Sequence, residues 1–455
     1  MNRFVIHACG GVALLCALPQ AQATNWLMLQ GTEAESAAPR AKVWGIIQAQ
    51  YQKDYSDANA TDGYIPPKLL GPDLDTQDGF NINRARLAVR GAGFPLDGKI
   101  NYFLMAELGN NAITSAGNSF AKLTDASVTF NHIPGARTRV GLFKTPGSEE
   151  VYQGIINIDY INFTEFGNQQ LIERLPNDKY TNNKGATTLP VDSDNSLNTV
   201  EKPVAAARDT GIQVFDTFIM DDWEHSYAVM LGNGNGNGLS LSDNDDSKDL
   251  YLYWSSEKVF GGKGPRREGW KLFGWHQDGT RLLDNTNDDV HNPQEYDRTR
   301  WGLGTQYRQM PFRLTFEYRK ADGMIFVGPD KMTFDQNVQV SGANPGGADG
   351  AEGKAWGAYL EGGWYIPQTN WELDARYEYY SRLTDDSGHP AGYSFESIWK
   401  TLTLGVQYHF NKKTRVTFNY AFRDVETPDF AKGAGPNANM DGIGDRLALQ
   451  VTAVF

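Results

Sequence analysis

The chain predicts an all-β fold, a transmembrane antiparallel β-barrel of about sixteen strands, and three observations predict it. Its last ten residues alternate between an apolar face and a small or polar face. Stretches with the same alternation recur along the chain, joined by connections that are short and long in turn. After an apolar leader-like segment, no later stretch holds the roughly eighteen consecutive apolar residues of a membrane-spanning helix.

At the start, Arg3 supplies a minimal positive region, and Val5 to Leu18 is an apolar run too short to span a bilayer as a helix. Ala21-Gln22-Ala23 gives the small-x-small pattern of a signal-peptidase site, so residues 1–23 read as an export signal and the mature chain begins near Thr24. Cys9 and Cys16 lie inside that segment, and Leu15 is too large for a lipoprotein signal ahead of Cys16. The mature chain is therefore expected to carry no thiol, no disulfide, no c-type haem attachment and no cysteine metal site, and no cofactor is expected. The formal charge is −13, or −14 once Arg3 is lost, which argues against nucleic acid and against a general affinity for anions. Residues 24–41 show no strand pattern and are expected in the periplasm, ahead of a single barrel domain over 42–455.

Two-residue alternation bounded by turn chemistry predicts strands near 42–54, 81–91, 98–108, 121–131, 136–145, 210–220, 224–232 and 248–257. The second half gives 269–278, 299–309, 312–321, 355–365, 370–381, 401–410, 414–423 and 446–455. Leu402, Leu404, Val406, Tyr408 and Phe410 oppose Thr401, Thr403, Gln407 and His409; Val416, Phe418, Tyr420 and Phe422 oppose Arg415, Thr417, Asn419 and Arg423. Phe312, Leu314, Phe316 and Tyr318 likewise oppose Arg313, Thr315, Glu317 and Arg319. Charge avoids the aromatic face, as it must where that face meets lipid, because a cation at the bilayer midplane costs about 2–4 kcal/mol. Strands 248–257 and 269–278 carry aromatics on both faces and have no assignable orientation. In the last strand Leu447, Leu449, Val451, Ala453 and Phe455 share the apolar face, and a terminal aromatic resembles the C-terminal signature of bacterial outer-membrane barrels.

Short turns rich in Pro, Gly and Asn are expected at 94–97, 132–135, 309–311, 366–369 and 411–413. Long connections alternate with them at about 55–80, 146–209, 233–247, 279–298, 322–354, 382–400 and 424–445, which is the asymmetry between tight periplasmic turns and extended outer loops. Trp301, Trp356, Trp364 and Trp371 near strand ends suit interfacial girdles. The Gly-Asn repeat from Gly232 to Gly238 and the acidic stretch from Asp243 to Asp249 read as an exposed loop tip.

The connection 146–209 is more than twice as long as the typical loop of this chain, and its first half is apolar: Val151, Ile155, Ile156, Ile158, Tyr160, Ile161, Phe163, Phe166, Leu171, Ile172 and Leu175. A segment this apolar is expected to fold into the lumen as a constriction loop. It carries Glu149, Glu150, Asp159, Glu165 and Glu173, with Arg174 its lone base.

Arg84-Ala85-Arg86-Leu87 with Gly91, followed by Arg139-Val140-Gly141-Leu142-Phe143-Lys144-Thr145-Pro146 and then Glu149-Glu150, resembles the phosphate-selective porin O and P family over about Phe80 to Leu175. The resemblance implies a sixteen-stranded, typically trimeric barrel of the bacterial outer membrane that passes anions along arginines and past lysines at the constriction. By motif it places Arg84, Arg86 and Lys144 in the pore. The chain departs from the pattern at Gly147, where an apolar residue is common, and it lacks a lysine cluster in the loop.

Alternation adds Arg90, Arg137, Arg139, Arg300, Arg308, Arg313, Arg319, Arg376, Arg415 and Arg423 to the lumen. Arginine suits oxyanions because its charge is permanent and its planar fork binds two oxygens at once. Glu317, Glu372, Asp374 and Glu378 stand beside several of these arginines and give them a competing structural role as wall ion pairs. The expected function is passive diffusion of small anions such as phosphate, with outer-membrane lipid and lipopolysaccharide as surroundings and a homotrimer as assembly. A general-diffusion pore for small hydrophilic solutes and a sleeve for an electron-transfer cytochrome are the alternatives. Asp73, Asp75 and Asp78 miss the EF-hand spacing. His409, with Thr401 and Thr403 in line, lacks a nucleophile motif, so no enzyme is expected.

Overall fold

Sixteen strands follow one another around a single closed antiparallel sheet. They are β1 (Lys42–Asp54), β2 (Asp78–Ala92), β3 (Ile100–Glu107), β4 (Lys122–Phe130), β5 (Arg137–Lys144), β6 (Arg208–Met220), β7 (Trp223–Gly232) and β8 (Asp249–Gly261). The other half comprises β9 (Glu268–Asp284), β10 (Pro293–Gln309), β11 (Phe312–Asp322), β12 (Lys354–Tyr365), β13 (Trp371–Arg382), β14 (Ser397–Asn411), β15 (Thr414–Glu426) and β16 (Arg446–Val454). Short helical turns α1 (Trp26–Leu29), α2 (Glu149–Tyr152) and α3 (Asn437–Met440) accompany them. The computed structural model describes residues 26–29, 41–56, 78–93, 97–109, 111, 121–172, 207–234, 243, 246–262, 264, 266–284, 293–323, 325, 353–384, 396–434 and 437–455.

Each strand is neighbour to the next, and β1 closes the ring on β16 from Ile46↔Val454 to Asp54↔Arg446. At one end of this seam Gly45 and Phe455 exchange backbone hydrogen bonds of 3.1 and 3.0 Å. Gly45 has no Cβ for a reason: one placed there meets the Phe455 ring and the Arg86 carbonyl oxygen. At the other end the Asp54 carboxylate accepts Arg446 Nη2 and Arg423 Nη2, both at 2.8 Å. A buried carboxylate between two guanidiniums joins β1, β15 and β16 where the ring closes.

The predicted two-residue alternation holds. Leu402 and Leu404 are exposed outward while Thr401, Thr403 and Gln407 are buried inward, and Phe418 and Phe422 face out while Arg415, Thr417 and Asn419 face in. The exterior is a continuous apolar band that only hydrocarbon satisfies. Aromatic pairs flank it in two belts: Trp301, Tyr318, Trp356 and Tyr379 form one run, and Trp371, Tyr408 and Phe410 belong to the other.

β8 and β9 resolve against their inner environment. Tyr251 and Tyr253 of β8, and Phe273 and Trp275 of β9, point inward, whereas Leu252, Trp254, Trp270 and Leu272 point to lipid. Both faces are apolar because an apolar segment covers the inner one, as described below.

The connection expected at 279–298 is shorter. β9 and β10 continue to Asp284 and start at Pro293, pairing through Pro293↔Asp284. Asp278 and Gly279 read as turn chemistry, yet Thr299 Oγ1 donates to Asp278 Oδ1 at 2.8 Å within the ladder. Polar residues continue a strand once the hairpin has left the apolar band. The short turns cluster at one end, the periplasmic end of such barrels, and Asp221-Asp222 adds one in which Asp221 takes a left-handed φ of 55°. The acidic tip near Asp243 and the Gly-Asn repeat fall mostly outside the described residues, and so do Asp73 and Asp75.

Candidate functional site

After Lys144 the chain turns into the barrel, and residues 145–172 contact inward-facing side chains from many strands. Hydrophobic burial explains the direction. Val151, Tyr152, Ile158, Phe163, Phe166, Leu171 and Ile172 form one cluster with Tyr253, Phe273 and Trp275 of the wall. The Tyr152 and Tyr253 rings lie 5.7 Å apart. The inward aromatics of β8 and β9 thus meet the segment, and neither surface is left facing water.

Acidic residues then fix the segment. Glu149 accepts the Lys271 ammonium of β9. Glu150 binds Arg319 at 2.6 Å and Arg376 at 3.5 Å, and it also accepts Thr164 N at 2.6 Å and Thr164 Oγ1 at 2.7 Å. One carboxylate therefore ties the two limbs of the segment to each other and to β11 and β13. Burial opposes ionisation of Glu150, but Arg319, Arg376 and the Thr164 hydrogen bonds outweigh it and hold its carboxyl below the ordinary range.

Asp159 lies at the far turn, deep toward the periplasmic end. Arg266 Nη1 is 2.6 Å away, Arg313 Nη1 3.1 Å and Arg415 Nη1 3.7 Å. Burial alone would raise this carboxyl, but Arg266 and Arg313 dominate and hold it far below the aspartate norm. Glu165 behaves oppositely: burial outweighs Arg446 and Arg423, so its carboxyl is raised. Its backbone N–H donates to Glu378 Oε2 at 3.3 Å. Glu173 lies outside the described residues.

The arginines expected in the lumen divide into two groups. On β10 to β15 they hold the segment or close wall networks. Arg300 Nε donates to the Gln170 carbonyl oxygen at 3.2 Å, and Arg308 lies within electrostatic reach of Asp159. Arg313 also binds Glu372 at 2.7 Å and Asp374, while Arg376 Nη2 donates to the Asn162 carbonyl oxygen at 3.0 Å. Arg415 donates to the Ile158 carbonyl oxygen, and Arg423 closes the seam on Asp54.

On β2 to β6 the bases meet different partners. Arg84 Nη1 donates to Gln48 Oε1 at 2.8 Å, Arg86 pairs with Glu107 at 2.6 Å, and Arg208 pairs with Asp125 at 3.1 Å. Arg90 lies farther down β2, in register with Lys42 and Phe103. Arg137 faces Asp216 at 3.7 Å, and Arg139 lies 4.4 Å from the centre of the Phe215 ring. Lys144 Nζ donates to the carbonyl oxygens of Val151, Tyr152 and Gln153 at 2.8, 3.3 and 2.6 Å. It caps the last turn of α2 and fastens the start of the segment, within electrostatic reach of Arg84, Arg86 and Arg208.

Three contributors escaped the sequence reading. Arg266 sits in a turn, where strand alternation has no jurisdiction; Lys271 stands on a strand without an assignable face; and Arg208 precedes the predicted start of its strand. Residues 26–29, expected outside the barrel, lie within it, with Leu27 and Met28 buried against β6. His409 is a wall residue 3.0 Å from Glu372 Oε2. Among the described residues no group of three or more His, Cys, Asp or Glu side chains is placed to hold a metal.

The segment approaches the wall closely at Gly357. A Cβ there lies 3.1 Å from Phe166 Cδ2 and 3.1 Å from the Tyr379 carbonyl oxygen. Gly357→Val is expected to lift Phe166 off β12 and cost about 1–3 kcal/mol by overpacking. A lowered midpoint for the heat-induced mobility shift of the folded band checks this, with Gly357→Ala intermediate.

No curated protein matches the chain. The model of a family described as "Putative MetA-pathway of phenol degradation" matches residues 323–440, roughly a quarter of the sequence. Among solved structures, OmpF of Salmonella typhi, determined in complex with daunomycin, superposes with a TM-score of 0.54 at 12% identity, covering 91% of this chain and 97% of that one. A loop L8 deletion mutant of OmpT, an outer membrane protein of Vibrio cholerae, gives a TM-score of 0.50 at 12% identity and covers 92% and 100%. The outer membrane channel DcaP of Acinetobacter baumannii follows at 0.47 and 12%, covering 94% and 100%. At such identities the likeness is one of fold, and it agrees with the apolar band: this is a sixteen-stranded, porin-like β-barrel of the bacterial outer membrane.

Proposed function

We propose that the protein is a porin through which small anions, phosphate or other oxyanions among them, diffuse passively along the β2–β6 side of the bore. One observation carries the reading. Glu149, Glu150 and Asp159 of the folded-in segment are taken up by Lys271, Arg266 and the arginines of β11 to β15, while Arg84, Arg86, Lys144 and Arg208 gather on the opposite wall. The charge of those three carboxylates is thus neutralised away from that basic wall, whose permanently charged arginines lower the entry barrier for an anion. The resemblance to phosphate-selective porins supports the same direction, and with it a homotrimer in lipid and lipopolysaccharide. In this reading residues 146–209 supply the constriction.

A general-diffusion pore is the second reading, favoured by the pairing of Arg86 with Glu107 and Arg208 with Asp125. A cytochrome sleeve fits less well, because residues 145–172 occupy the space such a partner needs. Reversal potentials across planar bilayers in a salt gradient decide. Anion preference that falls in Arg84→Ala and Arg86→Ala supports the proposal; weak or cation preference in the unaltered protein overturns it in favour of general diffusion.

A further inference from the structure

Phe215 of β6 points into the barrel near its periplasmic end, yet it is wholly buried. An apolar ring on the water-facing side of a porin wall needs a cover. The Arg139 guanidinium lies over the ring, and the apolar part of the cover is α1, whose Leu27 is 2% and Met28 8% exposed, in one cluster with Phe215 and Ala228. Polar contacts register it: Arg139 Nη2 donates to the Leu27 carbonyl oxygen at 3.5 Å, and Arg137 Nη1 lies 3.3 Å from Met28 Sδ. Both arginines follow a short turn, so the seat lies low in the bore. The same cluster extends to Val151 and Tyr152 of the folded-in segment, so one apolar body links the seat of α1 to that segment.

We infer that residues 26–29 form a second lumenal element, a plug that narrows the periplasmic end of the path on the side away from Asp159. Its occupant is a segment of this same chain, and the inference rests on the reading of the bore as a conduit. Trp26-Leu27-Met28-Leu29 is an isolated apolar run in a polar stretch, too short for a bilayer and suited to a small apolar seat.

Deleting residues 26–29 is expected to raise single-channel conductance about two-fold, since a helix with its side chains is about 10 Å across. Unchanged conductance overturns the plug. A second variant reads position without conduction: Met28→Cys with Arg137→Cys, Cys9 and Cys16 being replaced by serine. A short bis-maleimide is expected to bridge the two cysteines in the folded barrel, seen as a mobility shift of the denatured band. Absence of the bridge, with full modification of the introduced cysteine at 28 by a bulky polyethylene-glycol maleimide, overturns the inference. A protein that passes no ions at all defeats the porin reading, while the cross-link still decides where the segment lies.

Discussion

Asp159→Ala is expected to release the deep turn of the folded-in segment and lower the unfolding free energy by about 3–5 kcal/mol, the usual cost of removing one member of a buried ion pair. Arg266 and Arg415 each pair with this carboxylate, whereas Arg313 keeps Glu372 and Asp374. Two guanidiniums in a low-dielectric site then lose their counter-charge at once. Urea unfolding in micelles, followed by tryptophan fluorescence, measures the loss, and the freed turn should raise single-channel conductance. An unchanged midpoint and conductance would show that apolar burial alone seats the segment.

The same residue fixes the pH behaviour. The folded-state value of Asp159 is depressed, so its contribution is complete above the unfolded aspartate value of about 3.9 and fades only as pH falls through the lower folded value. Glu165 is raised, so its contribution is complete below the unfolded glutamate value of about 4.3 and fades as pH climbs through the folded value. Acidification from neutral pH to about 4 therefore takes nothing from either anchor. Conductance that rises sharply over that interval would contradict the anchoring described here.

Leu404→Arg is the second change of large effect, and it acts on the other solvent. Leu404 lies midway along β14 and points outward, 45% exposed. A guanidinium there faces hydrocarbon, at a cost of about 2–4 kcal/mol near the midplane. Reduced yield of folded barrel in outer-membrane fractions and a lowered urea midpoint are the expected results. Thr403→Asn, one residue away and facing in, keeps a polar group on the inner face and should leave assembly nearly intact. Equal damage from both would refute the assignment of faces.

The wall was legible in the sequence because lipid imposes a local rule: Leu402 and Leu404 must differ from Thr401 and Thr403 whatever lies elsewhere. Strand ends beyond the apolar band obey no such rule, and for that reason β9 and β10 outran their predicted limits. Inner aromatics were ambiguous for a related cause, since Phe273 and Trp275 answer to Val151 and Tyr152 rather than to the bilayer. The site was readable as a set of charges and unreadable as a set of partners. Nothing near Asp159 in the chain names Arg266, which is 107 positions away, and nothing in Trp26-Leu27-Met28-Leu29 names Phe215.

The seam between β1 and β16 has a consequence for folding. Gln48 Nε2 and Thr452 Oγ1 meet at 3.2 Å across 404 positions of chain. Fourteen intervening strands must be in place before that contact can form, so the ring closes only when the whole chain is available. Loop-closure entropy of this size is met only once in the ring, at the β1–β16 seam. Until closure the outward-facing apolar stripes have no ordered neighbours, and an unclosed chain in water is prone to aggregate.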